Sequence, residues 1–167
     1  MRNLKNSSAR PKPISLKWIA GGWLAFSLVG FLDTTYLTIQ HYRGAALECG
    51  ILQGCEAVTG SHYAVIIGIP LALLGAIYYF SILVLTVAYI DTKRRYFLKI
   101  VGYSTIVGFL VSALLVYLQV FVIHALCTYC LISALTSTAL FVLALISQKL
   151  YWSRERSFAG KPRLFAD

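Results

Sequence analysis

The sequence predicts an all-α integral membrane four-helix bundle with an extracytoplasmic loop between helices 1 and 2. Three observations carry that prediction: four long apolar runs, an uneven placement of basic residues, and an unusually apolar composition. The 167 residues are 59% hydrophobic and only 13% charged, with a mean hydropathy of +0.74. A soluble domain holds roughly 45–50% apolar residues and would alternate polar and apolar faces. These runs do not alternate.

Each run reaches the roughly 20 residues needed to cross a bilayer core. The first extends from about Trp18 to Gln40, and the second lies between Tyr63 and Ile90. The third falls between Leu98 and His124, the fourth between about Ala125 and Leu150. Third and fourth abut, so they must form a tight helical hairpin. Gly68-Ile69-Pro70 is a break that leaves Tyr63 to Ile69 as a short interfacial piece, with Pro70 at the first turn of the helix proper. The chain therefore divides into a basic tail (1–17), a membrane domain (18–150) and a second tail (151–167). Asn3 to Pro13 and Ser153 to Asp167 are polar and Pro-bearing, so both are expected to be loosely ordered.

Charge sets the orientation. Arg2, Lys5, Arg10, Lys12 and Lys17 precede the first span. Lys93, Arg94, Arg95 and Lys99 lie between second and third, and Lys149, Arg154, Arg156, Lys161 and Arg163 follow the fourth. Only Arg43 falls between first and second. Basic loops stay on the cytoplasmic side, so both termini and the middle loop are expected there, and the Arg43 loop outside. The net charge of +9 is explained by this topology and by anionic headgroups. No basic face is interleaved with stacking aromatics, which argues against nucleic acid. A basic segment before an apolar run also suits a signal peptide. This run is long for one, and Asp33-Thr34-Thr35-Tyr36 offers no small-residue cleavage site; a retained span is expected.

All four cysteines then fall on the outward side: Cys49 and Cys55 in the first outer loop, Cys127 and Cys130 at the outer start of the fourth span. Disulfides persist on an oxidising face, so charge and sulfur agree on sidedness. Cys127-Thr128-Tyr129-Cys130 sets two sulfurs one helical turn apart. At a helix start, orphan N–H groups and the positive dipole end favour the thiolate. The segment Cys49-Gly50-Ile51-Leu52-Gln53-Gly54-Cys55 differs, because two glycines give its backbone freedom. One mobile dithiol facing water and one facing a lipid-soluble acceptor would make a redox relay. The same cysteines would also serve a purely structural disulfide framework or a zinc site, although an oxidising face is a poor place to keep four thiolates.

The stretch Cys55-Glu56-Ala57-Val58-Thr59-Gly60-Ser61, followed by Gly68-Ile69-Pro70 and Gly75, resembles the C-x-x-V-x-x-S and G-x-P pattern of the vitamin K epoxide reductase family. Asp33-Thr34-Thr35-Tyr36-Leu37-Thr38 and the CxxC at Cys127 and Cys130 are similar to its bacterial, quinone-linked members. The animal enzymes carry Tyr four residues after the second CxxC cysteine, where this chain has Ala134. The resemblance therefore points to plain quinone (ubiquinone or menaquinone) rather than the epoxide. It implies a bacterial inner-membrane enzyme that accepts electrons from an extracytoplasmic thioredoxin-like protein. Some relatives carry such a domain fused after a fifth span; here a separate protein is expected.

The resemblance further implies an order of transfer. The partner attacks a Cys49–Cys55 disulfide at Cys49, Cys55 meets Cys127, and Cys130 faces the quinone, reducing it as a thiolate or through a transient adduct. The quinone headgroup needs a few placed polar atoms in an apolar pocket, and Asp33, Ser61, His62, Tyr117 and Tyr129 are the candidates. Asp33, an ionisable group inside a span, is either a proton relay or a tie between helices. Ser61 is also a cap candidate. His62 and His124 are equally readable as solvated interfacial groups, and Tyr117 and Tyr129 as packing. Helical register leaves Gln119 facing either the bundle or lipid. A second quinone-linked thiol oxidase family lacks the loop motif. A non-catalytic scaffold or small transporter is the remaining alternative.

Overall fold

The computed structural model describes residues 16–44, 54–92 and 94–159; side chains are described over the same ranges except at 16, 17, 95 and 151–159. The described residues form five α-helices: α1 (Leu16–Arg43), the short α2 (Cys55–Thr59), α3 (Leu71–Thr92), α4 (Arg95–Leu118) and α5 (Thr128–Ala159). All but α2 contain segments long and apolar enough to cross a membrane, the shortest having 22 residues. At 1.5 Å per residue that covers roughly the 30 Å of a bilayer core.

The long helices pack in a ring, α1 against α3 and α5, α4 against α5 and α3. Small residues set the contact distances. A Cβ at Gly30 would collide with the ring of Tyr79, and one at Gly75 would lie 3.0 Å from the Thr34 methyl, so α1 and α3 run antiparallel at close range. Trading side-chain bulk for backbone proximity is how helices gain packing energy where lipid removes the hydrophobic drive. Ile19, Trp23, Tyr79, Ile82, Leu98, Val101 and Leu140 fill the core. Buried hydroxyls bond back to their own helices, Thr34 to the Gly30 carbonyl and Thr86 to the Ile82 carbonyl, each at 2.7 Å. This satisfies polar atoms that no water reaches. Leu32, Leu110, Phe121 and Leu135 are exposed, as a lipid-facing surface requires.

Two boundaries differ from the sequence expectation, the start of α3 and the end of α5. The second long helix begins at Leu71, after a 3-10 turn (His62–Ala64) and a hairpin of β1 (Val65–Ile66) and β2 (Ile69–Pro70), in which Val65 pairs with Pro70. Pro70 thus ends the hairpin instead of starting the helix. The hairpin turn is Ile67-Gly68, both with positive φ (53° and 77°), as a two-residue primed turn demands. Helix α4 widens into a π turn over Gln119–Ile123 and stops at His124, whose left-handed φ of 55° ends the spiral. Helix α5 runs to Ala159, into the tail expected to be irregular. From Ser153 to Ala159 there is no Pro or Gly to stop it, and Gly160 follows.

Candidate active site

The site lies where α2 meets the α4–α5 connection. That connection spans only His124 to Cys127, the tight hairpin the sequence implied. It places Cys127 immediately before the first residue of α5 and Cys130 within its first turn. The Cys130 N–H points at Cys127 Sγ (3.5 Å), and Leu131 N–H donates to the Cys127 carbonyl at 3.0 Å. Cys127 is fully buried and Cys130 half-buried, and both are free thiols.

Cys55 opens α2, is fully buried, and is disulfide-bonded. It forms one cluster with Val58 and Cys127, against which Ile123, Ala125, Tyr129 and Cys130 pack. Cys49 lies outside the described residues. Helix α2 is held by Val58 N–H to Gly54 O (3.1 Å) and by Thr59 Oγ1 to Cys55 O (2.8 Å). Ser61 Oγ donates to the Val58 carbonyl at 2.7 Å, tying off the far end of α2 as a loop anchor.

Electrostatics at Cys127 favour the thiolate. The Cys130 thiol, donating to its sulfur, brings Cys127 down to about 7; the backbone N–H groups of Cys130 and Tyr129 help, against burial and the Asp33 charge. This is the effect expected of a helix N-terminus on a thiol.

Behind the cysteines a cavity of about 400 Å³ opens into the bundle. Cys130 is in its wall; Cys127 is not. Apolar side chains such as Leu37, Val58, Leu74, Val111 and Leu115 dominate the lining, with Ser61, Gln119, Tyr78, Tyr79, Ser133 and His41 as polar points. Volume and lining suit an apolar, ring-shaped ligand with a few polar atoms. Of the five residues the sequence suggested for such a ligand, Ser61 lines this cavity. Tyr129 instead packs against Tyr36 with the rings tilted, centres 5.2 Å apart, on the α1–α5 side. Tyr117 is 55% exposed beside Phe121, and His62 is exposed. Asp33 lies next to the lining residue Thr34 and close enough to Cys127 and Cys130 to act on their charge. Its Oδ2 is buried without a hydrogen bond among the described residues.

Sequence reasoning missed Tyr78, Tyr79, Thr34 and His41 as lining residues and left Gln119 undecided. Gln119 is 3% exposed, and its Oε1 accepts the Cys127 N–H at 3.3 Å. The available signal was a lone amide within an apolar span, eight residues before a cysteine.

Fold and site together define a four-helix membrane protein with a dithiol set between a second cysteine and an apolar cavity. Residues 23–145 match the family model of the Vitamin K epoxide reductase family. The chain belongs to that family. It is 31% identical over 127 residues to the thiol-disulfide oxidoreductase LTO1 of Arabidopsis thaliana. The alignment takes in 71% of this chain and 34% of the plant protein, so the chain spans about a third of that relative's length.

Proposed function

We propose that the chain is a membrane thiol:quinone oxidoreductase that reoxidises an extracytoplasmic thioredoxin-like, disulfide-forming protein and reduces a quinone. One observation carries this reading: Cys127 packs on Cys55 while its partner Cys130 borders an apolar cavity. The inner pair thus has a sulfur relay on one side and space for a lipid-borne acceptor on the other.

In the proposed cycle, a reduced partner exchanges with a Cys49–Cys55 disulfide. The resulting dithiol then exchanges with Cys127–Cys130, breaking one S–S bond as another forms. In that step Cys55 would attack Cys127 and release Cys130; Cys49 would then attack Cys55 and displace Cys127, whose depressed thiol is a good leaving group. The inner dithiol would finally give up two electrons and two protons as its disulfide re-forms, and a quinone ring bound in the cavity would supply the two-electron oxidising power. Leu37, Leu74 and Val111 would exclude water around it, and Ser133 would offer a hydroxyl to its oxygens. Asp33, whose charge acts on both cysteines of the inner pair, is proposed to take up and release protons within the bundle. The charge distribution supports cytoplasmic termini and a periplasmic site in a bacterial inner membrane.

Cys130→Ser protein reconstituted with a short-chain quinone and reduced thioredoxin tests the scheme. Quinone reduction should disappear while Cys55 still exchanges with thioredoxin. Continued quinone turnover by this variant would refute the proposal.

A further inference from the structure

The π turn that ends α4 carries a feature the sulfur relay alone does not require. Gln119 is its first residue and is buried at 3% exposure. The main-chain carbonyl of Gln119 accepts the Ala125 N–H at 3.1 Å, and its side-chain Oε1 accepts the Cys127 N–H at 3.3 Å. That N–H belongs to the group left orphan at the start of a helix. With Oε1 engaged, the amino group is the part of the amide left to donate. Cys130 lies beside the main chain that Gln119 holds, its N–H 3.5 Å from Cys127 Sγ. Gln119 and Cys130 border the same cavity.

We infer that Gln119 is a positioning residue for the inner dithiol: one amide fixes the main chain at Cys127 and donates to the sulfur of Cys130, favouring the reduced pair. In the reduced pair the Cys130 S–H donates to the Cys127 thiolate and its sulfur takes up part of that charge, so it accepts a hydrogen bond better than a disulfide sulfur does. Stabilising the reduced form makes a dithiol/disulfide couple more oxidising. The amide thereby helps the inner pair draw electrons from the outer one. A merely structural glutamine, closing the α4–α5 connection, would affect stability and leave the redox equilibrium alone.

This inference rests on the relay reading, and glutathione titration separates the two. Full-length protein in lipid nanodiscs is equilibrated with reduced and oxidised glutathione at pH 7, quenched with acid and alkylated. Mass spectrometry then follows the peptide that holds Cys127 and Cys130. Two glutathione thiols reduce the pair, giving two protein thiols and one glutathione disulfide, so the equilibrium constant reads the couple directly. Gln119→Met should lower that constant about tenfold, which is about 30 mV for two electrons. Gln119→Glu keeps an acceptor for the Cys127 N–H and replaces the donor with a negative charge. It should shift the constant in the same direction, and it serves if the Met variant does not fold. Either folded variant titrating like the wild type would overturn the Gln119 assignment alone. A wild-type pair that never exchanges would sink the relay and this inference with it.

Discussion

The backbone of Gly54 rests directly on that of Leu126: a Cβ at Gly54 would lie 2.6 Å from the Leu126 carbonyl oxygen and 2.8 Å from its nitrogen. This contact presses the start of α2 against the residue before Cys127 and so sets the approach of Cys55. Gly54→Ala should separate the two, at an overpacking cost of about 1–3 kcal/mol. With glutathione disulfide added as the oxidant, the rate of forming the disulfide between Cys55 and Cys127, in a Cys49→Ser and Cys130→Ser background, should show at least a tenfold loss. Trapping at the wild-type rate would mean that the contact does not govern the approach.

Cys127 should show an unusual pH profile. With the inner pair reduced, its alkylation should rise with pH up to about 7 and flatten above it. Cys130→Ala removes the leading cause of the depression, so the midpoint should climb toward the ordinary 9.0, and the rate at pH 7 should fall tenfold or more. Because the folded value lies below the unfolded one, the associated stabilisation is present above about pH 9 and fades as pH drops through 7. An unchanged midpoint in the Ala variant would contradict the Cys130 contribution.

Ala134 borders the cavity one turn from Cys130. Ala134→Trp should fill the space beside that sulfur, cutting quinone reduction by about tenfold or more while thiol exchange at Cys55 persists. Steady-state assays with quinone and with thioredoxin separate these outcomes. Equal loss in both assays would count against the cavity as the acceptor site.

Tyr79 ties α3 to α5. Its hydroxyl donates to the Ser133 carbonyl at 2.7 Å and shares a hydrogen bond with Thr136 Oγ1 at 2.9 Å. Tyr79→Phe should destabilise the bundle by about 1 kcal/mol, the scale of interhelical hydrogen bonds in membranes. Unfolding in a denaturing detergent would measure it. A midpoint identical to the wild type would show that lipid-exposed states satisfy these groups equally well.

The four spans were legible in the sequence because span length and the charge between spans are local properties. The same holds for the CxxC at the head of α5 and for the class of chemistry it suggests. Two things only the tertiary structure decided. The first is which polar side chains face the cavity. These helices are apolar on all sides, so no polar stripe reveals their rotation, and the π turn at Gln119 alters the register once more. Gln119, Tyr78 and Tyr79 consequently point inward, whereas Tyr117 faces out and Tyr129 packs on Tyr36. The second is the meeting of Cys55 with Cys127. They are distant in sequence, and a glycine contact that has meaning only after the chain has folded back brings them into one cluster.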